Sequence, residues 1–294
     1  SPFVGLFVGI LATAIVQSSS TTTTLVVGMV AGGALTIEGA IPMVMGANIG
    51  TTVTCLMVSM GQMARRSEFK RAFAAATVHD FFNLITVAIL FPLEMATGIL
   101  AKTSGLMQSA FEGVGGMKLA NPLKAAVKPA VSFLQDLVRD QPIALLIISI
   151  LLIIGMLIAI VKILRSLVLE RVEAFFNQHL FRNAGRAMVF GVLLTCAVQS
   201  SSITTSLAVP LAGAGILTLA QIFPYAMGAN VGTTITAILA ALATGNPAAV
   251  TVSFAHLLFN LSGILLIWPH PKIRMIPIRC AEWLSGHAEK RLWV

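Results

Sequence analysis

Charge is what this sequence has least of. From Ala187 to Pro271 it contains no Asp, Glu, Lys or Arg, and from Ser1 to Ala64 the only charged side chain is Glu38. Charged residues make up 10% of the 294, where a soluble globular domain carries about 25%. The runs far exceed the roughly 20 apolar residues that cross a bilayer, which excludes an ordinary soluble domain. Short alternating strands are also lacking, which argues against a β-barrel. The cysteines are three, Cys55, Cys196 and Cys280, too far apart for a metal-ligand spacing or a disulfide framework. No signal peptide with a charged n-region is visible. No serine sits in a strand-to-helix elbow, and no carboxylate is placed to orient a histidine, so a membrane enzyme is disfavoured. What remains is an all-α integral membrane protein with the lipid bilayer as solvent, in keeping with a mean hydropathy of +0.92. The net charge of +8 is concentrated in loops, which suits cytoplasmic loops and not nucleic acid.

Within this apolar chain stands a polar cassette, Gln17-Ser18-Ser19-Ser20 followed by Thr21 to Thr24. It returns 182 residues later as Gln199-Ser200-Ser201-Ser202, then Ile203-Thr204-Thr205-Ser206. At the same offset Met45-Gly46-Ala47-Asn48 matches Met227-Gly228-Ala229-Asn230, and Gly50-Thr51-Thr52 matches Gly232-Thr233-Thr234. Pro42 and Thr54 match Pro224 and Thr236. About half of the positions from Gly9 to Thr54 are identical, the mark of an internal duplication. After a length change, His79-x-x-Phe82-Asn83 aligns with His256-x-x-Phe259-Asn260.

Equivalent loops differ in charge. Arg65, Arg66, Lys70 and Arg71 make one basic, whereas Thr244 to Pro247 carries none. The positive-inside rule puts the first in the cytoplasm and the second outside, so the repeats are expected to be inverted around a central midplane site. The expected divisions are repeat one at 1–100, an extracytoplasmic connector at 101–141, and a linking transmembrane helix with a basic cytoplasmic segment at 142–184. Repeat two follows at 185–271 and a cytoplasmic C-terminal segment at 272–294. The clean span is Ile143 to Val161, and Lys162 to Phe181 is either an amphipathic surface helix or a solvated linker.

Broken membrane helices free backbone N–H groups that bind anions at half-helix starts, and carbonyls that bind cations. Gly46, Gly50, Gly228 and Gly232 flank Asn48 and Asn230 and permit tight turns or close backbone approach. Helix–turn–helix hairpins that enter the membrane without crossing it are expected there. Neither serine cassette contains a basic residue. An anion bound there needs a cation beside it, because an uncompensated charge in a low-dielectric site is expensive. That favours cation-coupled symport over uniport. His79/Asn83 and His256/Asn260 are i,i+4 pairs suited to interhelical hydrogen bonding in support of the site. Asp80 has Leu257 as its counterpart and is expected near the inner surface beside Arg66 or Arg71.

The paired Gln-Ser-Ser-Ser motifs, the Gly-Ala-Asn-φ-Gly-Thr segments, the stretch from Phe69 to Asn83 and that from His256 to Leu266 resemble the type II sodium-dependent phosphate cotransporters. The resemblance covers most of Phe3 to Leu100 and Gly185 to Ile278. It implies sodium-driven uptake of inorganic phosphate through a multi-pass protein of the cell (plasma) membrane. Phosphate is then expected at Ser18, Ser19, Ser20, Ser200, Ser201 and Ser202. Sodium is expected at Gln17, Gln199, Asn48, Asn230, Thr51, Thr52, Thr233 and Thr234, with His79, Asn83, His256 and Asn260 in support. Na⁺ is co-transported cargo, no resident cofactor is implied, and a homodimer is a candidate assembly. The rivals are a Na⁺-coupled transporter of sulfate or a dicarboxylate, and an ion channel.

Overall fold

The computed structural model describes residues 1–116, 128–129, 131–136, 138, 141, 143–145, 147–148, 151–152, 181 and 183–292. The expected span Ile143–Val161 and the basic stretch Lys162–Phe181 lie mostly outside the described residues. Among the described residues the regular elements are all helices. In repeat one they are α1 (Pro2–Val16), α2 (Ser19–Ala31), α3 (Ile37–Gly50), α4 (Thr52–Met60), α5 (Arg66–Thr97) and α6 (Ile99–Gly113). In repeat two they are α7 (Ala184–Val198), α8 (Ser201–Gly213), α9 (Leu219–Thr244) and α10 (Pro247–Ile267), and α11 (Pro271–Leu292) makes the C-terminal segment. The 101–141 segment, expected as a connector, thus begins inside a helix.

Among the described residues four stretches are long and apolar enough to cross a membrane: Ile37–Met60, Arg66–Thr97, Leu219–Thr244 and Pro247–Ile267. Their outward faces stay apolar, as at Leu265 (71% exposed), and so does α1, where Ile15 is 80% exposed. Such a surface is at home against lipid. α1 and α7, at 15 residues each, reach only about 22 Å at 1.5 Å per residue, short of the roughly 30 Å hydrocarbon core.

Caps mark the helix starts. Asn183 accepts from the Arg186 N–H at 2.8 Å, Asn246 from Ala248 at 2.9 Å, and Thr36 from Gly39 at 3.2 Å. Thr218 and Gln221 form a reciprocal capping box on α9. α1 and α3 pack in parallel along glycines. A Cβ on Gly46 would lie 2.0 Å from the Leu6 carbonyl oxygen, and one on Gly9 2.0 Å from that of Met43. α7 and α9 repeat this, with Gly228 against Met188 and Gly191 against Tyr225.

These glycines correct the expected position of the hairpins. Gly228, Asn230 and Gly232 lie inside the continuous helix α9, and Gly46 and Asn48 lie inside α3, which gives way to α4 only at Thr51. The chain turns at the glutamines instead. Gln17 and Gln199 are the only non-glycine residues with positive φ among those described, at 59° and 56°. Ser18 and Ser200 follow in extended conformation and cap α2 and α8. α1–α2 and α7–α8 are therefore helical hairpins whose tips are the two serine cassettes. Glycine in a membrane helix here serves close packing, not turning.

Candidate functional site

The tips are built from residues that satisfy themselves almost completely. Ser18 Oγ accepts from the Thr21 N–H at 3.2 Å and from the Thr21 hydroxyl at 2.9 Å. Ser200 Oγ accepts from the Ile203 N–H at 3.3 Å. Thr22 and Thr204 donate back to the Ser18 and Ser200 carbonyls, and Thr23 and Thr205 to those of Ser19 and Ser201. Each glutamine amide then ties its tip to the long span beside it. The Thr54 hydroxyl donates to Gln17 Oε1 at 2.7 Å, and the Thr236 hydroxyl to Gln199 Oε1 at 2.8 Å.

The two tips touch. Ser19 Oγ lies 3.1 Å from Ser201 Oγ, and both residues are almost fully buried. Two helix N-termini thus face each other, each with one first-turn N–H held by its cap serine and each presenting the positive end of a helix dipole. Beside them Ser20 Oγ and Ser202 Oγ are buried with no hydrogen-bond partner among the described residues. Paired positive helix ends with unsatisfied hydroxyls make an environment suited to an anion.

The other predicted residues fall around this centre. Thr51, Thr233 and Thr234 donate to carbonyls one turn back, which leaves their oxygens free to accept or to coordinate, whereas Thr52 donates to Ile49 O across the α3–α4 break and also meets the carboxyl of Asp80. Asn48 donates to Val44 O in its own helix at 2.9 Å. Asn230 instead joins a cross-repeat chain of bonds. His79 Nε2 bonds Asn230 Oδ1 at 2.6 Å, Asn230 Nδ2 donates to Asn83 Oδ1 at 2.9 Å, and Asn83 Nδ2 donates to Asn48 O at 2.9 Å. Asn83 Nδ2 also lies 3.2 Å from His79 Nε2; donation to Asn230 Oδ1, which only accepts, calls for the Nε2–H tautomer of His79, and Asn83 Nδ2 then directs its hydrogens to Asn48 O. His256 is equally buried, but neither ring nitrogen has a partner among the described residues, and Asn260 donates only to His256 O.

Some positions were not singled out from sequence. Thr54 and Thr236 hold the glutamines, and their matched place in the repeat was the available signal. Thr13 and Thr195, one turn before the glutamines, carry buried hydroxyls without partners among the described residues. Asp80 faces Thr52 and not Arg66 or Arg71. Arg66 pairs with Glu289 at 3.0 Å, while Arg71 Nε donates to the carbonyl of Gly213 at the end of α8 at 2.9 Å. No group of three or more His, Cys, Asp or Glu suited to a resident metal occurs among the described residues.

The model of a family described as Na+/Pi-cotransporter matches residues 1–120 and 151–273. The chain belongs to that family. Among its relatives are sodium-dependent phosphate transport protein 2B of Homo sapiens, 33% identical over 387 aligned positions, and that of Pongo abelii, with the same identity and length. Protein 2A of Rattus norvegicus is 34% identical over 368. Each alignment covers 100% of this chain but 56% of the 2B proteins and 58% of the 2A protein. The chain thus spans little more than half the length of these relatives. No solved structure matches it. Each stretch of the family match contains a full Gln-Ser-Ser-Ser cassette and its His-x-x-Phe-Asn helix.

Proposed function

We propose that this chain is the core of a secondary active symporter that takes up inorganic phosphate together with sodium by alternating access across the plasma membrane. The observation that carries the reading is the meeting of two helix N-termini at Ser19 and Ser201, 3.1 Å apart, with no charged side chain in either cassette. Phosphate binds between the tips, held by Ser18, Ser19, Ser20, Ser200, Ser201 and Ser202 with the first-turn N–H groups of α2 and α8. Sodium binds beside it on neutral oxygens from Gln17, Gln199, Asn48, Asn230, Thr51, Thr52, Thr233 and Thr234, so that the two ions compensate one another. Because the tips are in contact, they must part to admit the anion.

The two halves are inverted in the membrane. Supporting this, Asn246, at the end of α9, donates to Ala31 O at the end of α2. Arg71, just after the α4–α5 loop, donates to Gly213 O at the end of α8. Each hairpin therefore opens toward the loop that closes the other repeat's long span. The division into repeats at 1–100 and 185–271 follows the same logic, and the family supports transport over enzymatic chemistry.

The test is uptake of radiolabelled phosphate by proteoliposomes containing this chain, with a sodium gradient or with choline in its place. Sodium-dependent accumulation is expected, competed by arsenate but not by sulfate or succinate. Equal uptake in choline would remove the sodium site. Inhibition by sulfate or succinate would assign the tips to another anion, and equilibration without accumulation would indicate a channel.

A further inference from the structure

The two repeats carry the same His–Asn–Asn set, and the structure uses it in one half only. In the first half the set is closed: His79 on α5 reaches across to Asn230 on α9, Asn230 reaches back to Asn83, and Asn83 reaches the backbone of Asn48 on α3. By the repeat, the mirror set is His256 and Asn260 on α10 with Asn48 on α3. There every side chain has turned to its own helix or to nothing. Asn48 Nδ2 bonds Val44 O, Asn260 Nδ2 bonds His256 O, and His256 Nδ1, His256 Nε2 and Asn260 Oδ1 have no partner among the described residues. All of these side chains are buried, none more than 3% exposed. Duplicated chemistry in duplicated packing should satisfy itself in the same way twice, because an unpaired buried polar atom is costly. Here the closed set leaves one such atom, His79 Nδ1, and the open set leaves three, among the described residues.

The backbone is asymmetric at the same place. α9 runs unbroken through Asn230, while the equivalent span is interrupted at Thr51, three residues beyond Asn48. The half with the open set is the half with the broken helix. Closing the second set needs Asn48 to leave Val44 O and swing toward α10, but Asn48 also supplies the carbonyl that holds Asn83 in the first set. The two sets thus share Asn48.

We propose that these sets form a reciprocal clasp. When His79–Asn230–Asn83 is closed, His256–Asn48–Asn260 is open, and the other conformation of the molecule reverses the two. The closed clasp ties α5 of one repeat to α9 of the other, so which clasp is closed selects the face toward which the tips part. The inference rests on the alternating-access reading. His79 and His256 act here as positioning residues that set a conformational equilibrium, and they do so without contacting either ion.

The experiment measures that equilibrium without transport. Spin labels are placed in pairs on full-length protein in nanodiscs, in a background with Cys196 and Cys280 replaced by alanine. One pair, at Ala34 and Pro247, reports one face, and the equivalent pair, at Ala64 and Ile216, reports the other; all four sites are exposed. Distances are recorded without sodium or phosphate. His79→Ala and Asn83→Ala should each shift the two distance distributions severalfold toward the opposite conformation. His256→Ala should leave them at, or move them further toward, that of the parent. His79→Gln, which keeps a donor, should restore the parent distribution. If His79→Ala and His256→Ala shift both pairs in the same direction, or neither shifts them, the clasp is not reciprocal. Since no ion is present, that outcome is distinct from a parent protein that fails to accumulate phosphate, which would remove the transport reading. A variant that does not fold would appear as a lost thermal transition, and Asn83→Ala then decides for the first set and Asn260→Ala for the second.

Discussion

At the scale of single residues, the position that organises the site is one no propensity rule favours. Glutamine at positive φ is uncommon, because the Cβ crowds its own backbone, yet Gln17 and Gln199 adopt it with nearly identical angles. A conformation of this kind persists only where its surroundings over-determine it. Here the side-chain amide donates to Ala14 O or Cys196 O and accepts from Thr54 or Thr236. Gln17→Gly separates the two roles. Glycine relieves the backbone and loses the tie to Thr54. The expected outcome is a melting temperature close to that of the parent with sodium-dependent phosphate uptake reduced at least tenfold. A parallel loss of stability and uptake would make the glutamine a structural prop. The sequence was informative about these residues for a definite reason: eight hydrogen-bonding side chains in an apolar run need partners, so the cassettes were visible as sites. Their turn was not visible, because Gly and Asn are the residues that advertise positive φ. That reasoning sent the hairpins to Gly46–Asn48–Gly50, where the absence of a Cβ is used for helix contact instead. The pairing of His79 with Asn230 was legible only as a need for an interhelical partner, since two copies of a motif do not reveal which copy bonds across.

At the scale of elements, the first helix of each hairpin, α1 and α7, is bound to a long span through glycine. In α9, Gly228→Ala would drive its methyl into the Met188 carbonyl of α7, where the separation is 2.0 Å and the obstacle is backbone. Overpacking of that kind costs about 1–3 kcal/mol or more. A Cβ on Gly28 in α2 would meet nothing within 4 Å, so Gly28→Ala should be neutral or slightly stabilising. Thermal unfolding in detergent checks both, and equal behaviour would contradict the parallel packing of α7 on α9. The basic loop offers a second test. Lys70, with Arg66, holds the Glu289 carboxyl below the usual carboxylate range, tying α11 to the start of α5. A lowered value in the folded state means stabilisation that is fully present above the ordinary carboxylate pKa and is lost as pH falls through the lowered one. Hydrogen exchange over Pro271–Leu292 should therefore accelerate on acidification in that window, and Glu289→Gln should show the faster exchange already at neutral pH. High salt should mimic the change, since these side chains are partly solvated. Exchange that is indifferent to both would leave α11 held by its apolar contacts alone.

At the scale of the whole molecule, the arrangement makes claims about sidedness and about motion. Cysteines substituted at Arg65 and Asn246 should react with an impermeant maleimide from opposite faces of the membrane. Reaction of both from one face would overturn the inversion of the repeats. The claim about motion follows from the centre itself. Two positive helix ends held together at Ser19 and Ser201 lack a counter-charge in the contact, so the approach of an anion stabilises separation of the tips, and sodium on the neighbouring neutral oxygens offsets the charge the anion brings. Binding energies coupled in this way are reciprocal, so each ion should tighten the other by the same factor. Cysteines at 19 and 201 read the separation directly, because the hydroxyl oxygens they replace are 3.1 Å apart and a disulfide needs sulfurs at about 2.05 Å with Cβ atoms near 3.8 Å. In S19C/S201C an oxidant should form the bond readily without ions. Sodium alone should slow it slightly, and sodium with phosphate should slow it severalfold more, because the anion then occupies the space between the tips. The single variants show what the substitutions themselves do to uptake, and reductant should return the cross-linked protein to their level. If cross-linking proceeds at one rate under every ionic condition, the anion does not lie between the serines. The meeting of α2 and α8 would then be a packing contact, and the site would have to be sought along the glutamine–threonine ties on either side of it.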